Sequence, residues 1–102
     1  MAFTFIVVMT PDAEADIRRI YNYILRKYKY RENARRYRRG ILDTIDRLET
    51  YGGFLAISPY YSLQEAYGPD ARTIVYKRIT VIFNVTGDVI YIRRIIWGNT
   101  VV

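Results

Sequence analysis

Apolar positions change their period twice along this chain, and those changes mark out the elements. Residues 3–9 (Phe-Thr-Phe-Ile-Val-Val-Met) are a short apolar, β-branched run that ends at Thr10-Pro11, which predicts a strand. Beyond it Ala13, Ile17, Ile20, Tyr21, Ile24 and Tyr28 recur at steps of three and four, the stripe of an amphipathic helix. Thr10 supplies a capping hydroxyl, Pro11 suits the first helical position, and Asp12 and Glu14 suit the positive helix start. Arg18, Arg19, Asn22 and Arg26 fall off the stripe, and a basic cluster from Arg26 to Arg31 closes the helix.

A second helix repeats the pattern through Ala34, Tyr37, Ile41, Ile45 and Leu48, with Asp43, Asp46 and Glu49 outside it. The short link at Lys29-Tyr30 predicts antiparallel neighbours. Gly40 inside this helix costs about 1 kcal/mol against alanine, and we read it as a close approach to the first helix. The sequence Glu49-Thr50-Tyr51-Gly52-Gly53 ends the helix, with a glycine free to take the left-handed turn. Residues 52–70 are broken by Gly52, Gly53, Pro59, Gly68 and Pro69 and read as an aromatic loop, functional or packed back on the core.

The period then shortens to that of strands. Segments 72–76, 79–85 and 89–97 are β-branched and aromatic, separated by Lys77-Arg78 and by Thr86-Gly87-Asp88, a meander signal. The order β-α-α-β-β-β predicts an α+β fold with a helical hairpin packed on one face of a small, mainly antiparallel sheet. The opposite face is expected to stay partly open, with polar and basic groups pointing into it. A chain of 102 residues reads as a single domain over 1–102.

Composition narrows the chemistry. With 51% hydrophobic and 25% charged residues the chain is of ordinary globular type. It contains no run of about 18 uncharged apolar residues, and Phe3 to Met9 lacks the basic leader and small-residue cleavage site of a signal peptide. A cytoplasmic protein with no membrane partner is expected. There is no cysteine and no histidine, so thiol nucleophiles, disulfides, thiolate metal sites and the commonest general base are excluded. No metal and no cofactor are expected. Catalysis is left to carboxylates, tyrosines, lysines and arginines, which favours a binding protein.

Charge is unevenly spread. The net charge is +6, yet ten of the sixteen basic residues lie between Arg18 and Arg39 against one acid, Glu32, so the remainder of the chain is net acidic. Arginine dominates, and its planar fork suits phosphates and carboxylates. Nucleic acid and an acidic protein are the natural partners, while arginine stems also simply solvate helix faces.

This layout resembles the ParE/RelE superfamily of toxins, known from plasmid stabilisation and from bacterial type II toxin–antitoxin pairs. The resemblance runs from Phe3 to about Asn99. It is carried by the acidic, alanine-bearing helix start Thr10 to Ile17, by Arg72-Thr73-Ile74, by the hairpin Ile82 to Ile90, and by the strand ending Ile92-Arg93-Arg94-Ile95-Ile96-Trp97-Gly98. The superfamily implies two activities: RelE-like members cleave mRNA on the ribosome, and ParE-like members bind and poison DNA gyrase.

RNA cleavage needs a base, cationic donors for the phosphorane and an acid for the leaving oxygen. By the resemblance Arg72 matches the second-strand cation of RelE-like toxins. Thr80 stands where the third-strand arginine is expected, and Trp97 stands at the terminal proton-transfer position. Glu65 and Arg94 are the substitutes available to a ribonuclease.

The resemblance therefore implies a ParE-like toxin that binds gyrase, with ribosome-dependent RNA cleavage as the alternative. A degenerate toxin fold serving as a nucleic-acid or partner-binding module is a third reading. The expected target surface is Arg72, Arg78, Arg93, Arg94 and Trp97, where Trp97 is either an exposed anchor or a plug closing the sheet against the helices. Charge reversal at Arg93 and Arg94 is expected to abolish growth arrest and leave the fold intact. A cognate acidic antitoxin is expected on the helices, at Arg18, Arg19, Arg35 and Arg38.

Overall fold

The computed structural model describes residues 4–98, so Phe3 and Asn99, the outer bounds of the resemblance, lie outside the described residues. The chain forms β1 (Ile6–Met9), α1 (Pro11–Tyr28), α2 (Arg31–Tyr51), a short 3-10 turn (Gly52–Phe54), α3 (Tyr61–Tyr67), β2 (Arg72–Tyr76), β3 (Ile79–Thr86) and β4 (Val89–Trp97). The α+β class and the predicted order of the main elements are present, with α3 added to them.

One four-stranded sheet has the order β1-β4-β3-β2. The three C-terminal strands form the antiparallel meander, and β1 joins β4 in parallel, Ile6 beside Val89 and Met9 beside Ile92. Thr10 welds the layers. Its hydroxyl accepts the Ala13 N–H as the predicted helix cap and donates to the Ile92 carbonyl at 2.6 Å.

Both predicted helical stripes face the sheet. Ala13, Ile17, Ile20 and Ile24 of α1 and Ala34, Ile41, Ile45 and Leu48 of α2 are buried against Ile79, Val81, Phe83, Ile90, Ile92 and Ile95. Tyr28, on the predicted stripe, is exposed beyond the end of the packed layer.

Three local expectations are corrected. Gly40 approaches β2 rather than α1: a Cβ there would fall 2.0 Å from the Tyr76 hydroxyl. The left-handed glycine at the end of α2 is absent, because Gly52 stays right-handed at φ −57° and the chain tightens into the 3-10 turn. The phenyl ring of Phe5 takes the space that a Cβ on Gly53 would need.

The third correction concerns residues 52–70. Within them α3 lies across the second face of the sheet, where Leu63 and Ala71 bury Ile82 with Tyr67 and Ile96 alongside. The face expected to be partly open is thus closed over its middle. As a result β3 is buried on both sides from Ile79 to Asn84, which explains its nearly unbroken apolar run.

β4 carries a bulge. Ile82 pairs with Arg94 and Phe83 with Ile92, so Arg93 is an extra residue. Strict alternation would align Ile90, Ile92, Arg94 and Ile96 on one face. The bulge instead lets Ile92 and Ile95 share the helical core and sends the two arginines to different partners. Among the described residues no helix is long and apolar enough to cross a membrane.

Candidate binding surfaces

Arg93 occupies what remains open on the α3 side of the sheet. Its Nη1 donates to the Asn84 side-chain oxygen at 2.9 Å, and the guanidinium lies over the Tyr67 ring at 5.7 Å. Asn84 in turn donates to the Tyr67 carbonyl and to Asp70. These groups, with Thr10, Thr86 and Tyr91, line a cleft of about 460 Å³. Asn84 is a site residue missed at first reading; a lone amide inside the apolar run 79–85 was its signal.

Arg94 turns the other way, to α1. Its Nε donates to Asp16 Oδ2 at 2.7 Å and its Nη2 to Oδ1 at 3.1 Å. Asp16 also accepts the Ile95 N–H at 2.9 Å and a bond from Arg19. β1 pairs with β4 only as far as Ile92, so Ile95 would otherwise present a bare edge N–H. Burial pushes the Asp16 carboxyl up, but the Arg94 hydrogen bonds and charge, the Ile95 N–H and Arg19 together hold it below its ordinary value. The same pair raises the Arg94 pKa further above its already high value. Asp16 was also missed, although it falls in phase with Ala13 and Ile20.

The remaining expected target residues do not join this pair. Arg72 reaches from β2 back to the Gly53 carbonyl at 2.8 Å, holding down the 3-10 turn. Arg78 sits exposed in the β2–β3 turn. Trp97 packs between Tyr23 of α1 and Tyr37 of α2, at ring distances of 5.4 and 5.6 Å, as a plug at the end of the sheet. Thr80 is buried and donates to the Gly98 carbonyl. Glu65 is exposed on α3. Arg72, Arg94 and Glu65 therefore have separate surroundings and do not form a cluster.

The helical surface gathers more. Arg18 and Arg38 line one cleft of about 530 Å³ between α1 and α2, with Met9, Ile17, Tyr21 and Leu42 as its apolar floor. Arg35, Arg38 and Arg39 line the adjoining one with Asp43 and Asp46. Arg19 stands apart from this surface, beside Asp16 and Arg94. Three of the four expected antitoxin contacts thus share one continuous amphipathic trough.

A helical hairpin on a four-stranded sheet, with a basic trough on its outer side, defines a small α+β protein built to present a binding surface. A solved structure from the chromosomal ParDE toxin–antitoxin system of P. aeruginosa has the same fold, with a TM-score of 0.79 at 22% identity, covering 96% of this chain and 100% of that one. Residues 7–100 match the family described as the ParE toxin of the type II toxin–antitoxin system parDE. The chain belongs to that family. No curated protein matches it.

Proposed function

We propose that this ParE-family toxin acts by binding, that its target is DNA gyrase in the cytoplasm, and that a cognate acidic antitoxin seated on the α1–α2 trough neutralises it. One observation supports binding over RNA cleavage: the two cations assigned to phosphorane chemistry, Arg72 and Arg94, are committed elsewhere. Arg72 holds the Gly53 carbonyl and Arg94 holds Asp16. Thr80 is buried and Trp97 is stacked between tyrosines. Arg93 and Arg78 are exposed arginines on the meander, and they carry the proposed target contact.

Inducible expression without antitoxin tests the proposal, scored for growth, DNA-damage response and translation. It is paired with a supercoiling assay on purified gyrase. Growth arrest with DNA damage, continuing translation and inhibited supercoiling is the expected result. Arrest with an immediate translation block, and cuts in mRNA on purified ribosomes, would replace it with the ribonuclease reading. No arrest would leave the third reading, a binding module on a toxin scaffold.

A further inference from the structure

One end of the molecule collects positive charge. The end of α1, the start of α2, the β2–β3 turn and the end of β4 meet there. Lys77 lies over the rings of Tyr37 and Tyr76, Lys27 lies over Tyr23 and Tyr28, and Gly98 donates its N–H to the Arg78 carbonyl. Arg26, Lys27, Lys29, Arg31, Lys77 and Arg78 are all exposed. Among the described residues the ion pairs are those of Asp16, so none of these six is neutralised by a carboxylate.

Two features show that this charge is not incidental solvation. Arginines outnumber the single acid Glu32 in the first half of α2, from Arg31 to Arg39, while Asp43, Asp46 and Glu49 outnumber Arg47 in the second. Arg31 in the first turn and the absence of a base in the last run against the helix dipole. Among the described residues, the non-glycine residues with positive φ are Lys29 at 59° and Lys77 at 53°, and both lie at this end. Glycine would be easier at each. Lysines thus stand at two positions where glycine would be less strained, and strain of this kind clusters at functional positions.

We infer that this pole is a contact surface for the phosphate backbone of duplex DNA. The α1–α2 trough, where Arg18, Arg35, Arg38 and Arg39 stand over an apolar floor with Glu14, Asp43 and Asp46 among them, suits an amphipathic peptide. The pole has Glu32 as its one nearby acid in sequence, and its six cations are exposed. Tyr23, Tyr37, Tyr76 and Trp97 pack edge-on or tilted against one another, while Tyr28 and Tyr30 beside Lys29 are exposed, so equal or tighter binding of a single strand of the same sequence would also overturn the duplex assignment. Lysine and arginine tips around a blunt end match a regular phosphate array, which needs charge rather than base-edge readers. This inference goes beyond gyrase binding and does not depend on it.

The test is fluorescence anisotropy of the full chain with a labelled duplex of about 20 bp, roughly two helical turns, over a salt series. The double variant Lys29→Gly/Lys77→Gly relieves both left-handed positions, so its Tm holds or rises. Its affinity should nonetheless fall roughly ten-fold or more, with the log–log salt slope shallower by about 0.9 per lost phosphate contact. Arg18→Ala/Arg38→Ala, in the trough, should bind the duplex like the parent. Salt-independent binding, an unchanged Lys29→Gly/Lys77→Gly variant, or equal loss in the trough variant would overturn the assignment. So would equal or tighter binding of a polyglutamate peptide or of an RNA duplex of the same sequence. No gyrase is in the mixture, so failure here leaves the gyrase proposal to its own assay.

Discussion

A carboxylate buried at the rim of a sheet must find donors for both oxygens, and Asp16 takes them from Arg94, Arg19 and the Ile95 amide. Because its pKa is lowered by folding, the stabilisation is complete above the unfolded value of about 3.9. It is lost as pH falls through the folded value. Asp16→Asn should cost about 2–4 kcal/mol at neutral pH. Urea unfolding should show the gap between variant and parent narrowing below about pH 4; a gap constant with pH would remove the charge from the explanation. Arg94→Glu would set two carboxylates together and is expected to unfold the protein, so paired reversal at Arg93 and Arg94 cannot report on target binding alone. Arg93→Gln, which removes the charge without setting a carboxylate beside Asp70, is the variant that can. Gly40→Ala opposes two effects: about 1 kcal/mol of helix propensity gained against a side chain driven into the Tyr76 ring. Overpacking of this kind typically costs about 1–3 kcal/mol, so thermal melts should show a net loss.

Among the elements, α3 is the one least visible beforehand. It has seven residues between Pro59-Tyr60 and Gly68-Pro69, too short for a periodic stripe, and its flanking glycines and prolines suggested a loop. Leu63 and Tyr67, one helical turn apart, were the available sign. Only the sheet beneath gives the segment a reason to be helical: Ile82 and Ile96 need a cover, and Ser58 closes the segment by donating its N–H to the Ala71 carbonyl. The patch is small and separate from the main core, so Leu63→Ala should act locally, at a cost of about 2–4 kcal/mol. Hydrogen exchange should quicken across residues 58–71 with α1 and α2 still protected. Uniform quickening over the whole chain would show that α3 unfolds with the core instead.

At the level of the whole molecule, positive charge divides between two surfaces of different shape. The trough between α1 and α2 joins Arg18, Arg35 and Arg38 to an apolar floor, whereas the pole is an exposed cluster around two turns. If the trough holds the antitoxin, Arg18→Glu/Arg38→Glu should still arrest growth when expressed alone and should escape rescue by the coexpressed antitoxin. Full rescue would move the antitoxin off this surface. The effect belongs to binding rather than folding, because both side chains are exposed and neither has an ion-pair partner among the described residues.

Local periodicity and turn chemistry carry α1, α2 and the three-stranded meander, because a buried stripe or an alternating strand imposes its spacing on neighbouring residues. The Thr10 cap and the β3–β4 turn are legible for the same reason: each is an agreement among residues close in the chain. The family resemblance rests on the order of these elements, and the match of residues 7–100 to the ParE toxin family shows the membership. What tertiary structure alone decided are the pairings between distant positions: β1 parallel to β4, Gly40 against Tyr76, α3 over Ile82, and Arg94 on Asp16. The β4 bulge belongs with them, since only the partner strand shows that Arg93 is the extra residue. Five basic or aromatic positions on the meander looked like one surface in sequence. A pleated, bulged sheet sends adjacent side chains to different layers, so the fold gave Arg72, Arg94 and Trp97 structural partners, seated the exposed Arg93 on Asn84 and Tyr67, and left Arg78 exposed in a turn.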